Sequence, residues 1–279
     1  MPLGGVSAGL LSALSFGAGD FAGAVASRRA GALVVVAGAH GVGLLALLAA
    51  ALIVRPPFPG GEGVALGLLA GVAGMVGLAA LYRGMSLGSM GLVTALSGSG
   101  SLAIPLVAGA VLGHQVGPLQ LIGVACAAGA AVAASGASRS EVGRFSLILA
   151  GAAAVSFGAW YVLIDLAADA GDPLWALVLS RTASAGLASA VVFGRRRDSG
   201  SIPWRIVAAA GVFDVGGNAL YVVARDAMPV GLAAALSGLY PIVTMLLARY
   251  VLGEHLPRLG QLGVLLALVG VVLISIGAP

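Results

Sequence analysis

The chain has 279 residues, of which 60% are hydrophobic and only 9% charged, with a net charge of +4 and a mean hydropathy of +1.10. Soluble domains carry about a quarter charged residues, so this composition excludes a water-covered surface and indicates a protein embedded in lipid. The basic residues, all arginine, stand singly or in short clusters between apolar runs, which is typical of loops near anionic lipid and excludes a nucleic-acid-binding surface.

Long apolar runs divide the chain into predicted transmembrane helices. A bilayer core about 30 Å thick needs about 20 apolar residues per helix. On this criterion the sequence predicts ten spans, at 4–27, 33–54, 64–82, 90–112, 118–136, 145–168, 174–194, 204–224, 230–252 and 259–277. The linkers are too short for a soluble domain, so any chemistry must take place within the membrane or at its faces.

The sequence repeats itself. Three blocks recur in the same order at a nearly constant separation: Ser15-Phe16-Gly17-Ala18 with Ser156-Phe157-Gly158-Ala159, Ala80-Leu81-Tyr82 with Ala219-Leu220-Tyr221, and Gly91–Gly123 with Gly231–Gly263. We therefore predict two repeats of five helices, at 1–138 and 145–279. An odd number of helices makes the second repeat enter the membrane from the opposite side. The predicted fold class is an all-α polytopic membrane protein with ten transmembrane helices in two inverted five-helix repeats, an arrangement that places a transporter's site at the repeat interface.

Two polar residues lie within the first two spans. A charge at membrane depth costs about 2.5–3.5 kcal/mol on insertion scales, so it usually faces a cavity or a partner. Asp20 is a candidate carboxylate for a cationic group or a proton, unless the first span ends early and leaves it at the interface. His40 is a candidate site residue in the second span, although a neutral imidazole can also bond a neighbouring backbone carbonyl.

The third and fourth spans carry an aromatic and a flexible motif. Tyr82 ends the third predicted span, which favours a place in the aromatic belt at the membrane surface. In the fourth span, Ser97, Gly98 and Pro105 lie where small residues and proline weaken a helix. They predict either a hinge with exposed carbonyls or a fixed kink that improves packing.

The sixth and seventh spans add aromatic and basic candidates. Trp160 and Tyr161 either stack on a substrate or serve packing. Arg181 occupies the position of the second repeat that is equivalent to His40. Its guanidinium can bind a substrate carboxylate, lock against an aspartate or extend towards the membrane surface.

The eighth span carries the strongest candidate pair. Asp214 and Asn218 are one turn apart, so they share a helix face. The flanking Gly211, Gly216 and Gly217 allow close approach of a neighbour or a substrate. The sequence predicts a site wall here, and Asp214 is a candidate proton acceptor.

The last two spans carry a motif of a known family. Ser237, Gly238 and Pro241 predict a second hinge or kink, and Glu254 is expected to act structurally in its turn. The segment Ala235–Val243, the turn Leu252-Gly253-Glu254, and Gly263 and Gly270 beyond it resemble the EamA repeat of the drug/metabolite transporter superfamily. In the first repeat the match is weaker, since His114 stands in place of the glutamate and Ser101 in place of Pro241.

The resemblance implies a carrier for amino acids, metabolites, sugars, nucleotide sugars or drugs, often an exporter, with a central cavity lined by the first four helices of each repeat. We expect a secondary transporter for a small polar or amphipathic solute that works by alternating access. A non-coupled pore or a non-transporting membrane partner is the alternative. We see no metal-protease, nucleophile-elbow or phosphate-loop motif, so we expect no enzyme activity.

The expected partners are a small-molecule substrate and the lipid bilayer, with protons as a candidate coupling ion. We expect no nucleic acid, cofactor or metal, and a monomer or homodimer in the bacterial cytoplasmic membrane. By the predicted spans, ten arginines lie on the side of the membrane opposite the termini and two on the same side as the termini. Because arginine-rich loops face the cytoplasm, this distribution predicts external termini. The family resemblance implies cytoplasmic termini instead. Both arguments place the two termini on one side.

Overall fold

The computed structural model describes residues 3–111, 116–137, 141–194, 201–228 and 230–276. Within these ranges the chain is almost entirely α-helical and contains no strand. The first repeat comprises five helices: α1 (Leu3–Ala30), α2 (Ala32–Val54), α3 (Gly61–Leu87), α4 (Met90–Val111) and α5 (Pro118–Ala137). The second comprises six: α6 (Glu141–Asp169), α7 (Pro173–Gly194), α8 (Trp204–Ala227), α9 (Val230–Ser237), α10 (Tyr240–Leu252) and α11 (Arg258–Ile276).

The helices confirm the ten predicted spans. Eight helical segments of the described chain are long and apolar enough to cross a membrane, and two shorter apolar helices, Met90–Ile104 and Pro118–Ala134, complete the set. The ninth span is one membrane segment made of two helices, because α9 and α10 are separated at Gly238 and Leu239. The chain is therefore an integral membrane protein.

The third helix is longer than the predicted span. The α3 helix continues five residues past Tyr82 to Leu87. Tyr82 is only 2% exposed and its ring packs against Gly23 of α1, where a Cβ atom would collide with it. The aromatic-belt interpretation of Tyr82 is therefore wrong, because the ring is enclosed by helices rather than placed at the lipid surface.

The two repeats are interleaved rather than side by side. The most extensive helix contacts join them: α3 packs on α6, α1 on α8, and α5 on α11. Contacts also recur in equivalent pairs, because Ser15 packs against Gly216 as Ser156 packs against Gly77. The recurrence shows that a pseudo-two-fold axis relates the halves.

The packing of α5 against α11 shows the inversion directly. Gly123 approaches Gly270, whose carbonyl oxygen is 2.9 Å from the position a Cβ would take on Gly123. Further along α5, Ala130 approaches Gly263, where the Ala130 carbonyl oxygen is 3.3 Å from the position a Cβ would take on Gly263. Moving forward along α5 means moving backward along α11, so these equivalent helices are antiparallel. Small residues at the crossing allow the backbones this close approach.

Candidate functional site

An ion pair lies between the second repeat's α7 and α8. The Arg181 guanidinium is 2.6 Å from an Asp214 carboxylate oxygen, and the two side chains are only 11% and 26% exposed. Each charge offsets the cost of placing the other at membrane depth. Of the roles considered for Arg181, the structure shows the contact with an aspartate, and the side chain does not extend towards the membrane surface.

His40 joins this pair from the first repeat. Its Nε2 contacts the Arg181 guanidinium and its Nδ1 contacts the Ser184 hydroxyl. Arginine has only donors, so Nε2 must accept, and the neutral imidazole then donates its Nδ1 proton to Ser184. His40 is 3% exposed, and its partners are side chains of α7 rather than a backbone carbonyl of its own helix.

These contacts place the network on the pseudo-two-fold axis. His40 and Arg181 are equivalent residues of the two repeats, and two equivalent residues touch each other only beside the axis that exchanges them. The contact of His40 with Ser184 has its counterpart in Arg181 and Gly43, where a Cβ on Gly43 would be 4.0 Å from Nε of Arg181. The network of Arg181, Asp214, His40 and Ser184, here called the axial network, therefore lies at the repeat interface.

Asp20 lies beside the axial network. Its neighbour Gly19 packs against α8, and a Cβ on Gly19 would be 3.4 Å from the backbone nitrogen of Asp214. The two carboxylates are close enough to repel each other electrostatically. Asp20 is half-buried and forms no ion pair within the described part of the chain.

Aromatic residues surround Asp20. Tyr82 packs against Gly23, one turn after Asp20 on α1, and Tyr161 and Tyr240 lie within electrostatic range of the Asp20 carboxylate. Tyr240 packs edge-on against Phe16, one turn before Asp20 on α1, with ring centroids 6.3 Å apart. The sequence favoured the membrane belt for Tyr82, and it predicted a hinge or kink at Ser237, Gly238 and Pro241 without a site role for the adjacent Tyr240. The exact repetition of Ala80-Leu81-Tyr82 in the second half is a signal from which an interior role for Tyr82 could have been predicted.

The other predicted site residues have local partners. Asn218 donates its side-chain amide to the Asp214 carbonyl oxygen at 2.8 Å, so it shares the predicted face but bonds its own helix. Trp160 donates its indole N–H to Ser180 at 3.1 Å and packs edge-on against Tyr161, with centroids 5.2 Å apart. Tyr161 is 44% exposed, which makes it the more accessible ring of the two.

The hinge candidates differ between the repeats. In the second repeat the helix stops at Ser237, and Pro241 lies in the first turn of α10. The Ser237 hydroxyl is buried without a hydrogen-bond partner among the described residues. In the first repeat α4 is continuous, and Ser97 bonds the carbonyls of its own helix.

Two further hinge candidates lie on α4. A Cβ on Gly98 would be 2.6 Å from the Tyr240 hydroxyl, so Gly98 is where α4 meets the start of α10. The side chain of Pro105 lies outside the described residues. A hinge role for any of these positions stays a prediction.

Comparison with known proteins agrees with this architecture. The sequence profile described as "EamA-like transporter family" matches the chain twice, over residues 3–136 and 144–276. A crystal structure, described only as that of a protein, has the same fold with a TM-score of 0.63 and 17% identity, and the alignment covers 97% of this chain and 98% of the other. The comparison with curated proteins gives no match.

Proposed function

We propose that this chain, which belongs to the EamA-like transporter family, is a secondary transporter that binds a small polar or amphipathic solute beside the axial network. The observation that carries the proposal is the Arg181–Asp214 ion pair, which is joined by His40 on the pseudo-two-fold axis. Ionisable groups at membrane depth are costly and mark substrate or ion pathways. Inverted-repeat transporters bind their solutes at the repeat interface near the bilayer midplane.

The arrangement of the network suits alternating access. Arg181 and Asp214 belong to the second repeat, whereas His40 and Asp20 belong to the first. When the halves rock against each other, the contacts between Arg181 and His40 must lengthen or re-form. A solute that replaces some of these contacts links its own binding to that movement, and exposure of the site alternates between the two membrane faces.

We further propose the bacterial cytoplasmic membrane as the location and export as the direction. The family supports a transporter, and many similar carriers export their solutes. A pore is a less suitable interpretation because the ion pair and its histidine fill the centre of the repeat interface with paired groups.

Reconstitution into liposomes tests the proposal. Purified protein is supplied with a panel of radiolabelled amino acids and amines, and uptake is followed with and without unlabelled solute inside the vesicles. We expect saturable uptake and counterflow, both lost in Asp214→Asn. The control Asp165→Asn removes an exposed carboxylate from α6 and leaves transport intact. Flux that does not saturate and shows no counterflow would identify a pore and overturn the carrier proposal.

A further inference from the structure

The charges around Asp20 do not balance. Asp214 has Arg181 at 2.6 Å, and the Arg181–His40 contact requires a neutral imidazole. Asp20 has no basic partner within the described chain and is near the Asp214 carboxylate instead. If both carboxylates were ionised, two carboxylates and one guanidinium would leave one negative charge unpaired at membrane depth, where such a charge is costly and is removed by a proton or by a bound cation.

The two carboxylates lie on only one of the two sides of the site that the pseudo-two-fold axis relates. Asp20 and Asp214 lie on α1 and α8, which pack against each other. The equivalent pair of helices is α6 and α3, and the positions that match Asp20 and Asp214 there are Tyr161 and Met75. The site therefore has a carboxylate wall on α1 and α8 and an aromatic, apolar wall on α3 and α6.

The two walls face one another, because Tyr82 of α3 packs against Gly23 of α1. Tyr161 of the aromatic wall interacts electrostatically with Asp20 of the carboxylate wall. Tyr161 is 44% exposed and Asp20 is half-buried, so neither side chain is sealed by protein atoms. Tyr240 adds another aromatic ring, which lies against Phe16 on α1. A group that enters between the walls meets a carboxylate with aromatic rings around it.

We propose that Asp20 is the recognition site for an organic ammonium group, so the solutes of this carrier combine a protonated or quaternary amine with an apolar or aromatic body. The cation supplies the charge that Asp20 lacks, and aromatic side chains favour organic cations over strongly hydrated metal ions. The apolar body lies against Tyr161 and its neighbours. The inference rests on the proposed transport function and adds the chemical class of the solute.

A charge-matched set of indoles tests the inference. Tryptamine, indole-3-propionate and 3-methylindole share one ring system and carry a positive, a negative and no charge respectively. Their binding to detergent-purified protein is measured by thermal shift and by competition with radiolabelled tryptamine. We expect binding of tryptamine alone, weakened about tenfold or more by Asp20→Asn. Asp20→Glu keeps the charge and retains most of the binding, and Asp165→Asn behaves as the unchanged protein.

The possible outcomes separate the inference from the proposed function. Tryptamine binding that is unaffected by Asp20→Asn would overturn the inference. So would preferential binding of indole-3-propionate, or no binding of tryptamine, phenethylamine and tetraethylammonium alike. Counterflow of an anionic or neutral solute that depends on Arg181 would keep the transporter and refute the cation site. Absence of counterflow for every solute would refute the transporter itself. Size-exclusion profiles of both Asp20 variants establish that they fold.

Discussion

Arg181 joins the two halves of the protein through a single side chain. Its guanidinium pairs with Asp214 on the next helix and contacts His40 across the repeat interface. Both contacts are largely buried, so water weakens them less than it weakens a surface ion pair. The residue that holds the interface together is thus also the residue that any rearrangement of the halves must disturb.

Removal of Arg181 should destabilise the protein through Asp214. In Arg181→Ala the carboxylate keeps its buried position without its cation, and we expect a loss of about 1–3 kcal/mol, since the aspartate can take a proton rather than remain charged. Thermal unfolding in detergent measures the effect. The double variant Arg181→Ala/Asp214→Asn should recover part of the loss. If the two single losses simply add in the double variant, the two residues do not stabilise one another.

Glu254 acts at the scale of a helix end. One carboxylate oxygen accepts the backbone N–H of Met90 at 3.1 Å, and the other contacts the Ser89 hydroxyl. The turn after α10 therefore caps the first turn of α4, which belongs to the other repeat. The expected structural role of this glutamate is present, but it extends beyond its own turn and joins the two halves at one face of the membrane.

Loss of this cap should be measurable as lower stability. We expect Glu254→Ala to cost about 0.5–2 kcal/mol, as removal of a helix cap does. Glu254→Gln keeps one acceptor oxygen and should lose less. Glu62→Gln, which changes an exposed acid in the first turn of α3, is the control. Unfolding temperatures of Glu254→Ala and the unchanged protein that coincide would contradict the capping role.

Close approach of α5 and α11 gives a second prediction at this scale. A Cβ on Gly123 would lie 2.8 Å from an Ile274 side-chain carbon and 2.9 Å from the Gly270 carbonyl. We expect Gly123→Ala to push the helices apart and cost about 1–3 kcal/mol. Gly129→Ala on the same helix meets only Leu266 at 3.5 Å and should be nearly neutral. Equal unfolding temperatures for the two variants would contradict the close packing.

The positions of the helices could be predicted from the sequence, but the contacts between helices could not. Hydrophobic length is a property of each segment alone, so all ten spans were identified, and the Ser237–Pro241 motif marked the place where α9 gives way to α10. Which face of a helix meets which partner depends on packing between distant segments. That is why Asp214 and Arg181 were identified separately, without their contact, and why Tyr82 was assigned to the wrong environment.

At the scale of the whole molecule, the inverted repeat gives the site a symmetric backbone whose equivalent side chains differ. The backbone contacts recur in both halves, but the side chains at equivalent positions have diverged: His40 matches Arg181, and Asp20 matches Tyr161. A symmetric scaffold can open equally towards either membrane face, while its asymmetric side chains give the bound solute one preferred orientation. The first property serves alternating access and the second serves recognition.

Inversion can be tested by labelling from each side of the membrane. With Cys126→Ala as the background, cysteines are introduced singly at Glu62 and Trp204, which lie at corresponding helix starts of the two repeats and are both exposed. A membrane-impermeant maleimide should label one of them in intact cells and the other only after the membrane is permeabilised. Asp169→Cys should label from the same face as Glu62→Cys. Labelling of the Glu62 and Trp204 positions from one face would contradict the inverted topology.

Proton exchange is the last consequence of the unpaired charge. The groups within electrostatic range of Asp20 are Asp214, Tyr82, Tyr161 and Tyr240, and none of them is a cation. Either a proton or an ammonium group removes the excess charge, and the two cannot do so together. Binding of tryptamine should therefore release up to about one proton per protein, recorded with a pH dye in weakly buffered detergent solution. Asp20→Asn should abolish the release, and Asp165→Asn should not. Such exchange lets an inward proton gradient drive export of the amine, whereas tryptamine binding without any proton release would show that the carrier is not coupled at Asp20.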